Sequence, residues 1–177
     1  MQRKLSAVIS DFDDTLFFND KCIRAASLEV LGKELTAREL KTVDRTDKSR
    51  IYSIAYSKHS DKLTPNYPVL GYLRKMHGRG YDIIIMSARG EEHREITKEM
   101  LSNEGILYED VILPRDHSIP DQEWKLKELK KLSKKYDELI FLEDKLENIS
   151  YIMKRYNYYN TAFYLVKDSL LIYQNKK

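Results

Sequence analysis

Short apolar runs that stop abruptly at a polar or acidic residue recur along this chain, each separated from the next by a stretch with helical spacing. The first, Leu5 to Ser10, contains β-branched Val8 and Ile9 and gives way at once to Asp11-Phe12-Asp13-Asp14-Thr15. Ile83 to Met86 leads into Ser87-Ala88-Arg89, Asp110 to Leu113 follows, Leu139 to Leu142 leads into Glu143-Asp144, and Ala162 to Val166 comes last. Runs this short and this continuously apolar suit buried strands. Val69 to His77, Glu91 to Asn103, Asp121 to Tyr136 and Leu146 to Tyr156 carry apolar residues at helical spacing, with Gly78 and Gly80 stopping the first of them. Alternating strands and helices predict an α/β fold, a parallel sheet covered by helices. Right-handed crossovers then put the carboxyl end of every strand on one edge, so the polar residues that close these runs must converge there.

Between the first and second runs, Lys21 to Leu31, Thr36 to Val43 and Thr46 to Lys58 are each spaced for a helix, with Gly32 and the candidate N-caps Thr36 and Thr46 between them. This predicts a small helical cap, residues 19–63, inserted after the first strand into a core built from 1–18 and 64–177. A turn at Pro65 to Pro68 returns the chain to that core. A length of 177 residues accommodates one domain with such an insertion and is too short for two ordinary domains.

Composition removes several classes of function. Hydrophobic residues make up 42% and charged residues 33%, which describes a globular chain rather than a disordered one. The net charge of +3 is a small difference between 31 basic and 28 acidic residues, so it does not argue for a nucleic-acid binder. Cys22 is the one cysteine, which rules out an intrachain disulfide and a multi-cysteine metal site and suits a reducing cytoplasm. Its side chain is expected to be buried filler. Leu5 to Ile9 is too short for a membrane span, and a cytoplasmic protein with no membrane partner is expected.

The converging acids carry the chemistry. Carboxylates crowded at one edge repel each other and resist desolvation unless a cation or a lysine neutralises them, and an all-oxygen donor set suits Mg²⁺. Asp11-x-Asp13-x-Thr15-Leu16 after an apolar strand resembles the first motif of the haloacid-dehalogenase (HAD) superfamily. Ser87 at the end of an Ile-rich strand is similar to its second motif, Lys125 near a helix start to the third, and Glu143-Asp144 with Asn148 to the fourth. The resemblance implies a Rossmann-like HAD core with the cap inserted after the first strand, and a Mg²⁺-dependent phosphomonoester hydrolase. In that scheme Asp11 becomes transiently phosphorylated and Asp13 first protonates the leaving oxygen, then activates water. Ser87 and Lys125 stabilise the phosphoryl oxygens, and the metal is held by Asp11, the Asp13 carbonyl and Asp144, with Glu143 and Asn148 orienting ligands.

Around this set, Ala88 and Arg89 are expected to contact the substrate phosphate, although a structural ion pair is an equal reading of Arg89. His93, Arg115 and His117 flank the same mouth and read as surface residues, Trp124 as a packing anchor, and the Lys130 to Lys135 lysines as a solvated face. Asp14 reads as a local cap, and Phe17 and Phe18 as core packing or a shield over the site. The expected substrate is a phosphorylated small molecule. The Ser-Ala-Arg second motif and the segment from Lys125 to Asp144 also resemble polynucleotide kinase-phosphatases, which admits a nucleic-acid end, as a 3'-phosphatase or nucleotidase, and the small cap would leave room for one. A receiver-like signalling domain and a non-catalytic metal- or partner-binding module are the other classes. The motif order counts against the first, and the intact Asp11 and Asp13 against the second. The oligomeric state stays open.

Overall fold

Ala7, Val8 and Ile9 are wholly shielded from solvent, as expected for a run of apolar residues in the middle of a sheet. A computed structural model of the chain describes residues 5–114, 118–156 and 160–174. In chain order its elements are β1 (Ser6–Ser10), β2 (Phe17–Phe18), α1 (Asp20–Leu31), α2 (Arg45–Ser57), β3 (Thr64–Pro65), α3 (Tyr67–Gly78), β4 (Asp82–Met86), α4 (Arg94–Asn103), β5 (Asp110–Ile112), α5 (Asp121–Leu132), β6 (Glu138–Glu143), α6 (Leu146–Arg155), β7 (Thr161–Lys167) and β8 (Leu170–Gln174). The main sheet runs β5-β4-β1-β6-β7-β8. Its first five members are parallel, and β8 returns antiparallel to β7.

Successive side chains of a strand point to opposite faces, so each strand serves two cores. Val8, Ile83, Ile85, Ile140 and Leu142 share one core with residues of α1 to α4. Ala7, Ile9, Ile84, Met86, Leu139 and Phe141 share the other with Trp124, Leu126 and Leu129 of α5 and Ile149 and Ile152 of α6. Trp124 is thus a packing anchor, as its place on the apolar face of α5 suggests.

The segment between β1 and β4 is helical, and its buried residues Cys22, Ile23, Ala26, Leu40, Ile51, Ala55 and Tyr56 belong to the same cluster as Val8 and Phe12 of the sheet side. It leaves and rejoins the core through the antiparallel pair β2·β3, which matches Phe17 with Pro65 and Phe18 with Thr64. Where a turn at Pro65 to Pro68 was expected, Thr64 and Pro65 are therefore extended. Phe17 stacks on Phe12 with ring centroids 4.8 Å apart, and Phe18 is partly exposed.

Other boundaries also shift. Thr36 and Glu39 cap each other reciprocally: the Glu39 N–H donates to Thr36 Oγ1 at 3.2 Å and the Thr36 N–H to Glu39 Oε2 at 2.8 Å. Only a 3-10 turn, Glu39–Thr42, follows this cap, because Leu40 is the one buried residue there. Asp44 rather than Thr46 caps α2, its carboxylate accepting the N–H groups of Thr46 and Asp47. A 3-10 turn, Glu91–His93, precedes α4, and α5 stops at Leu132, short of Tyr136.

The strand β8 goes beyond the five expected runs: Leu170 to Tyr173 is also continuously apolar, but it is not buried on both faces. It lies on the sheet edge with Leu170, Ile172 and Tyr173 exposed. Its hairpin turns at Asp168 and Ser169, with φ of 50° and 63°, the paired left-handed conformation that favours Asn-Gly. Ser169→Gly is therefore expected to stabilise the protein by about 0.5–1 kcal/mol, since serine resists that conformation. Urea unfolding checks it, and a loss of stability would contradict the turn assignment. Among the described residues no helix is long and apolar enough to cross a membrane.

Candidate active site

The chain moves from β1 one way to β4 and β5 and the other way to β6 and β7, so the carboxyl ends of β4, β1 and β6 flank the point where strand order reverses. Crevices form at such points in open α/β sheets. Ser10 is level with Ile85 on one side and Leu142 on the other. Asp11 then donates its N–H to the Leu142 carbonyl at 2.9 Å, which holds its side chain beside the residues that end β6.

Asp11 Oδ1 lies 2.6 Å from Lys125 Nζ, and the same ammonium is 2.7 Å from Glu143 Oε2 and 3.4 Å from Asp121 Oδ2. Lys125 is fully buried although its neighbour Lys127 is exposed. It sits one helical turn after Asp121 at the start of α5, where the helix meets the carboxyl edge of the sheet. Asn148 Nδ2 donates to Asp121 Oδ2 at 2.9 Å and to Glu143 Oε2 at 3.2 Å, and the Lys145 N–H donates to Glu143 Oε1 at 3.1 Å. Both Glu143 oxygens are thereby occupied. Asp144 is less committed: its Oδ1 is 3.5 Å from Thr15 Oγ1, which is also 3.4 Å from Asp11 Oδ2.

Asp11, Glu143 and Asp144 present carboxylate oxygens within 4.8 Å of one another. Burial, together with the neighbouring Glu143, pushes the Asp11 carboxyl up to about 7 despite Lys125. Burial and the charge of Asp11 push Asp144 up to about 9. Burial also works against ionised Glu143 and Lys125, but Lys125 holds Glu143 below its usual range, and Asp11, followed by Glu143, holds Lys125 well above its own. The cluster therefore has one satisfied ion pair and two carboxyls that resist ionising together. Three clustered carboxylates form a hard-oxygen donor set, and a divalent cation would relieve that resistance. Lys125, Asn148 and the Lys145 N–H all engage Glu143, whereas Asp144 bonds only Glu143 and Thr15 among the described residues, which favours Asp144 as the direct ligand.

Asp13 faces a different partner. Both its oxygens are gripped by the Arg89 guanidinium, Nε to Oδ2 at 2.9 Å and Nη2 to Oδ1 at 2.7 Å. The Arg89 side chain is completely enclosed while Asp13 is 18% exposed. Arg89 is thus placed on Asp13, in the ion-pair arrangement, and not at the open mouth beside exposed Ala88. Ser87 Oγ is 3.5 Å from Asp13 Oδ2 and accepts the Arg89 N–H at 3.3 Å. It caps no helix, since α4 begins only at Arg94.

Asp14 has φ of 60°, a left-handed position that Asp tolerates and Gly prefers. Its carboxylate accepts the Asn19 N–H at 3.1 Å, so it closes the turn after β1. His93 is buried against Tyr56 instead of lying at the surface, with ring centroids 5.5 Å apart. Arg115 and His117 lie outside the described residues. Cys22 is buried filler, its thiol pushed up to about 12 by burial. Lys145, Asp121, Thr97 and Tyr56 surround the acidic residues and were not singled out from sequence. Asp121 had a signal, since it stands one turn before Lys125, whereas Tyr56 and Thr97 come from elements whose approach only the fold sets.

No protein-family model matches this sequence, and no curated protein matches it either. Solved structures do match. The chain aligns with a chain of the Pnkp1/Rnl/Hen1 complex at 22% identity and a TM-score of 0.59, over 94% of this chain and 47% of that one. In a second structure, described as the Pnkp1/Rnl/Hen1 RNA repair complex, the values are 21% and 0.56, over 88% and 41%. A HAD hydrolase, family IA, variant 3, from Entamoeba histolytica aligns at 14% identity and 0.62, over 93% and 85%. The fold is HAD-like. This chain spans less than half of the Pnkp1 complex chains, so the likeness concerns one part of a longer polypeptide. A HAD-like fold sets the carboxyl edge of the sheet as the place where Asp11, Lys125, Glu143 and Asp144 meet.

Proposed function

We propose that the protein is a Mg²⁺-dependent phosphomonoester hydrolase working through an aspartyl-phosphate on Asp11. The observation that carries this reading is the Asp11 carboxylate beside buried Lys125 and within the Asp11, Glu143, Asp144 cluster. A general carboxylate nucleophile needs nearby positive charge, and phosphoryl transfer needs the same charge on the transferred oxygens. Asp11 forms a bond to phosphorus as the bond to the leaving oxygen breaks, and Asp13, which must enter this step carrying a proton, gives it to that oxygen. Water then adds to phosphorus as Asp13 takes a proton back, the bond to Asp11 breaks, and orthophosphate leaves. Lys125 and Ser87 hold the phosphoryl oxygens. Asp11, the Asp13 carbonyl and Asp144 would hold Mg²⁺, whose contribution is charge neutralisation on the phosphoryl group. Residues 19–63 act as the cap over this chemistry.

Metal and protons compete for the same oxygens, which gives a pH signature. Asp11 and Asp144 are raised on folding, so without metal the folded chain binds more protons than the unfolded chain above about pH 4, and stability falls as pH rises towards 9. The gain in Tm on adding Mg²⁺ is therefore expected to grow from pH 5 to pH 9. A gain that is flat across that range would count against these carboxyls as ligands.

The substrate reading is tested with a panel: an aryl phosphate, phosphometabolites, mononucleotides and a 3'-phosphorylated oligonucleotide, each with and without Mg²⁺. A nucleic-acid end is favoured by the likeness to a chain of an RNA repair complex. It predicts that the oligonucleotide is the best substrate and that its KM rises steeply with salt. Oligonucleotide activity that never exceeds that on mononucleotides would leave a small phosphate ester as substrate. No release from any panel member by folded protein would defeat the phosphatase reading.

A further inference from the structure

Asp13 is fixed from the inserted helices. The Arg89 guanidinium that grips it lies between two rings, 4.3 Å from the Phe12 centroid and 4.0 Å from that of Tyr56. Its remaining nitrogen, Nη1, donates to Thr97 Oγ1 at 3.2 Å, and that hydroxyl donates to the His93 carbonyl at 2.8 Å. Phe12 belongs to the turn after β1, Thr97 to α4, and Tyr56 to α2. Tyr52, one turn earlier on α2, stacks on Tyr56 with centroids 5.7 Å apart. A column Phe12, Arg89, Tyr56, Tyr52 therefore runs from beneath the acidic turn to the outer part of the insertion. With two rings packed on it, the guanidinium keeps its N–H groups for hydrogen bonds, and these are divided between Asp13 and Thr97.

We infer that Tyr56 is a positioning residue for the proton transfers of Asp13: its ring clamps Arg89 against Phe12, and the clamped fork sets the direction of the Asp13 carboxyl. This rests on the phosphatase reading above. The ring, and not the phenol hydroxyl, does the clamping. Misplacing a reacting group by about 1 Å can cost about 100-fold, and general-acid help is worth about 10²–10⁴-fold when the leaving group needs it. The loss must then depend on the leaving group. An alkoxide cannot depart without a proton, whereas a nitrophenolate carries its own charge and needs little help.

The experiment compares Tyr56→Phe and Tyr56→Leu with the unaltered protein, measuring kcat/KM, which reports the steps up to aspartyl-phosphate formation. For Tyr56→Leu an alkyl phosphate should lose about 100-fold and p-nitrophenyl phosphate less than about 3-fold, while Tyr56→Phe keeps both within about 2-fold. Equal losses on the two substrates, no loss on either, or a Phe variant that behaves like Leu would overturn the inference. Should Tyr56→Leu fail to fold, Tyr56→Met fills the space without a ring face and carries the same test. The side-chain ¹H–¹⁵N signals of Arg89 give a readout apart from activity. The stack should hold its Nη groups as separate resonances in the unaltered protein and in Tyr56→Phe, and they should merge in Tyr56→Leu. If the unaltered protein hydrolyses no phosphate ester, the phosphatase reading fails, and merging or persistence of those resonances still decides the clamp.

Discussion

Asp11→Asn is expected to reduce phosphate release by about 10³-fold or more on every substrate while the protein remains folded. The amide is isosteric with the carboxylate but cannot attack phosphorus, and it removes one of the three carboxylates of the cluster. Folding should survive because the ionised Asp11 is itself opposed by burial: its carboxyl is pushed up to about 7. At pH 8 without metal the variant sheds that cost, and Lys125 retains Glu143 at 2.7 Å and Asp121 at 3.4 Å as partners. The expected pair of results is lost turnover and an undiminished metal-free Tm. Activity above about a tenth of the original would end the assignment of Asp11 as nucleophile.

Lys125→Met should behave in the opposite way, losing both activity and stability. Glu143 is completely buried, and Lys125 is what permits it to be ionised there. Removing one member of a buried pair strands the other, which typically costs about 3–5 kcal/mol. The sign with pH follows from the lowered Glu143 and the raised Lys125. A lowered carboxyl contributes stability above its unfolded value near pH 4 and loses it as pH falls, and a raised ammonium contributes below its unfolded value near pH 10. The pair is thus intact at neutral pH. In the variant Glu143 can avoid the penalty by taking up a proton, so the deficit in urea unfolding should be larger at pH 8 than at pH 5. Activity should fall by about 10²–10³-fold. A deficit below about 1 kcal/mol at pH 8 would show that Lys125 does not neutralise this cluster.

Much of this arrangement could be read from the chain before any fold was known. Five apolar runs give the five parallel strands of the main sheet, and the clearest signal comes from β1, β4 and β6, which are buried on both faces and must therefore be continuously apolar. The convergence of Asp11, Ser87 and Glu143-Asp144 then follows from chain direction alone. Lys125 was legible for a related reason, since a lysine one turn into a helix that starts at the carboxyl edge of the sheet can still reach that edge. Arg89 was half legible: the sequence left a phosphate contact and a structural ion pair as equal readings, and only the approach of α2 and Phe12 shows why it turns inward to Asp13. The strand β8 breaks the alternation of strands and helices, following β7 directly through a two-residue turn, and the helix expected over Thr36 to Val43 failed although its capping pair formed. Local signals chose the start of that element, and burial of a single residue, Leu40, decided its length.

The insertion shares its hydrophobic core with the sheet: Leu40, Ile51, Ala55 and Tyr56 lie in one cluster with Val8 and Phe12. A flap joined to its base in this way cannot swing outward without wetting that cluster, and each large apolar side chain so exposed costs about 1.5–3 kcal/mol. Turnover would then have no large hinge step to wait for. Selectivity between substrates of different bulk should therefore respond to single substitutions around the acidic cluster rather than to changes at a hinge.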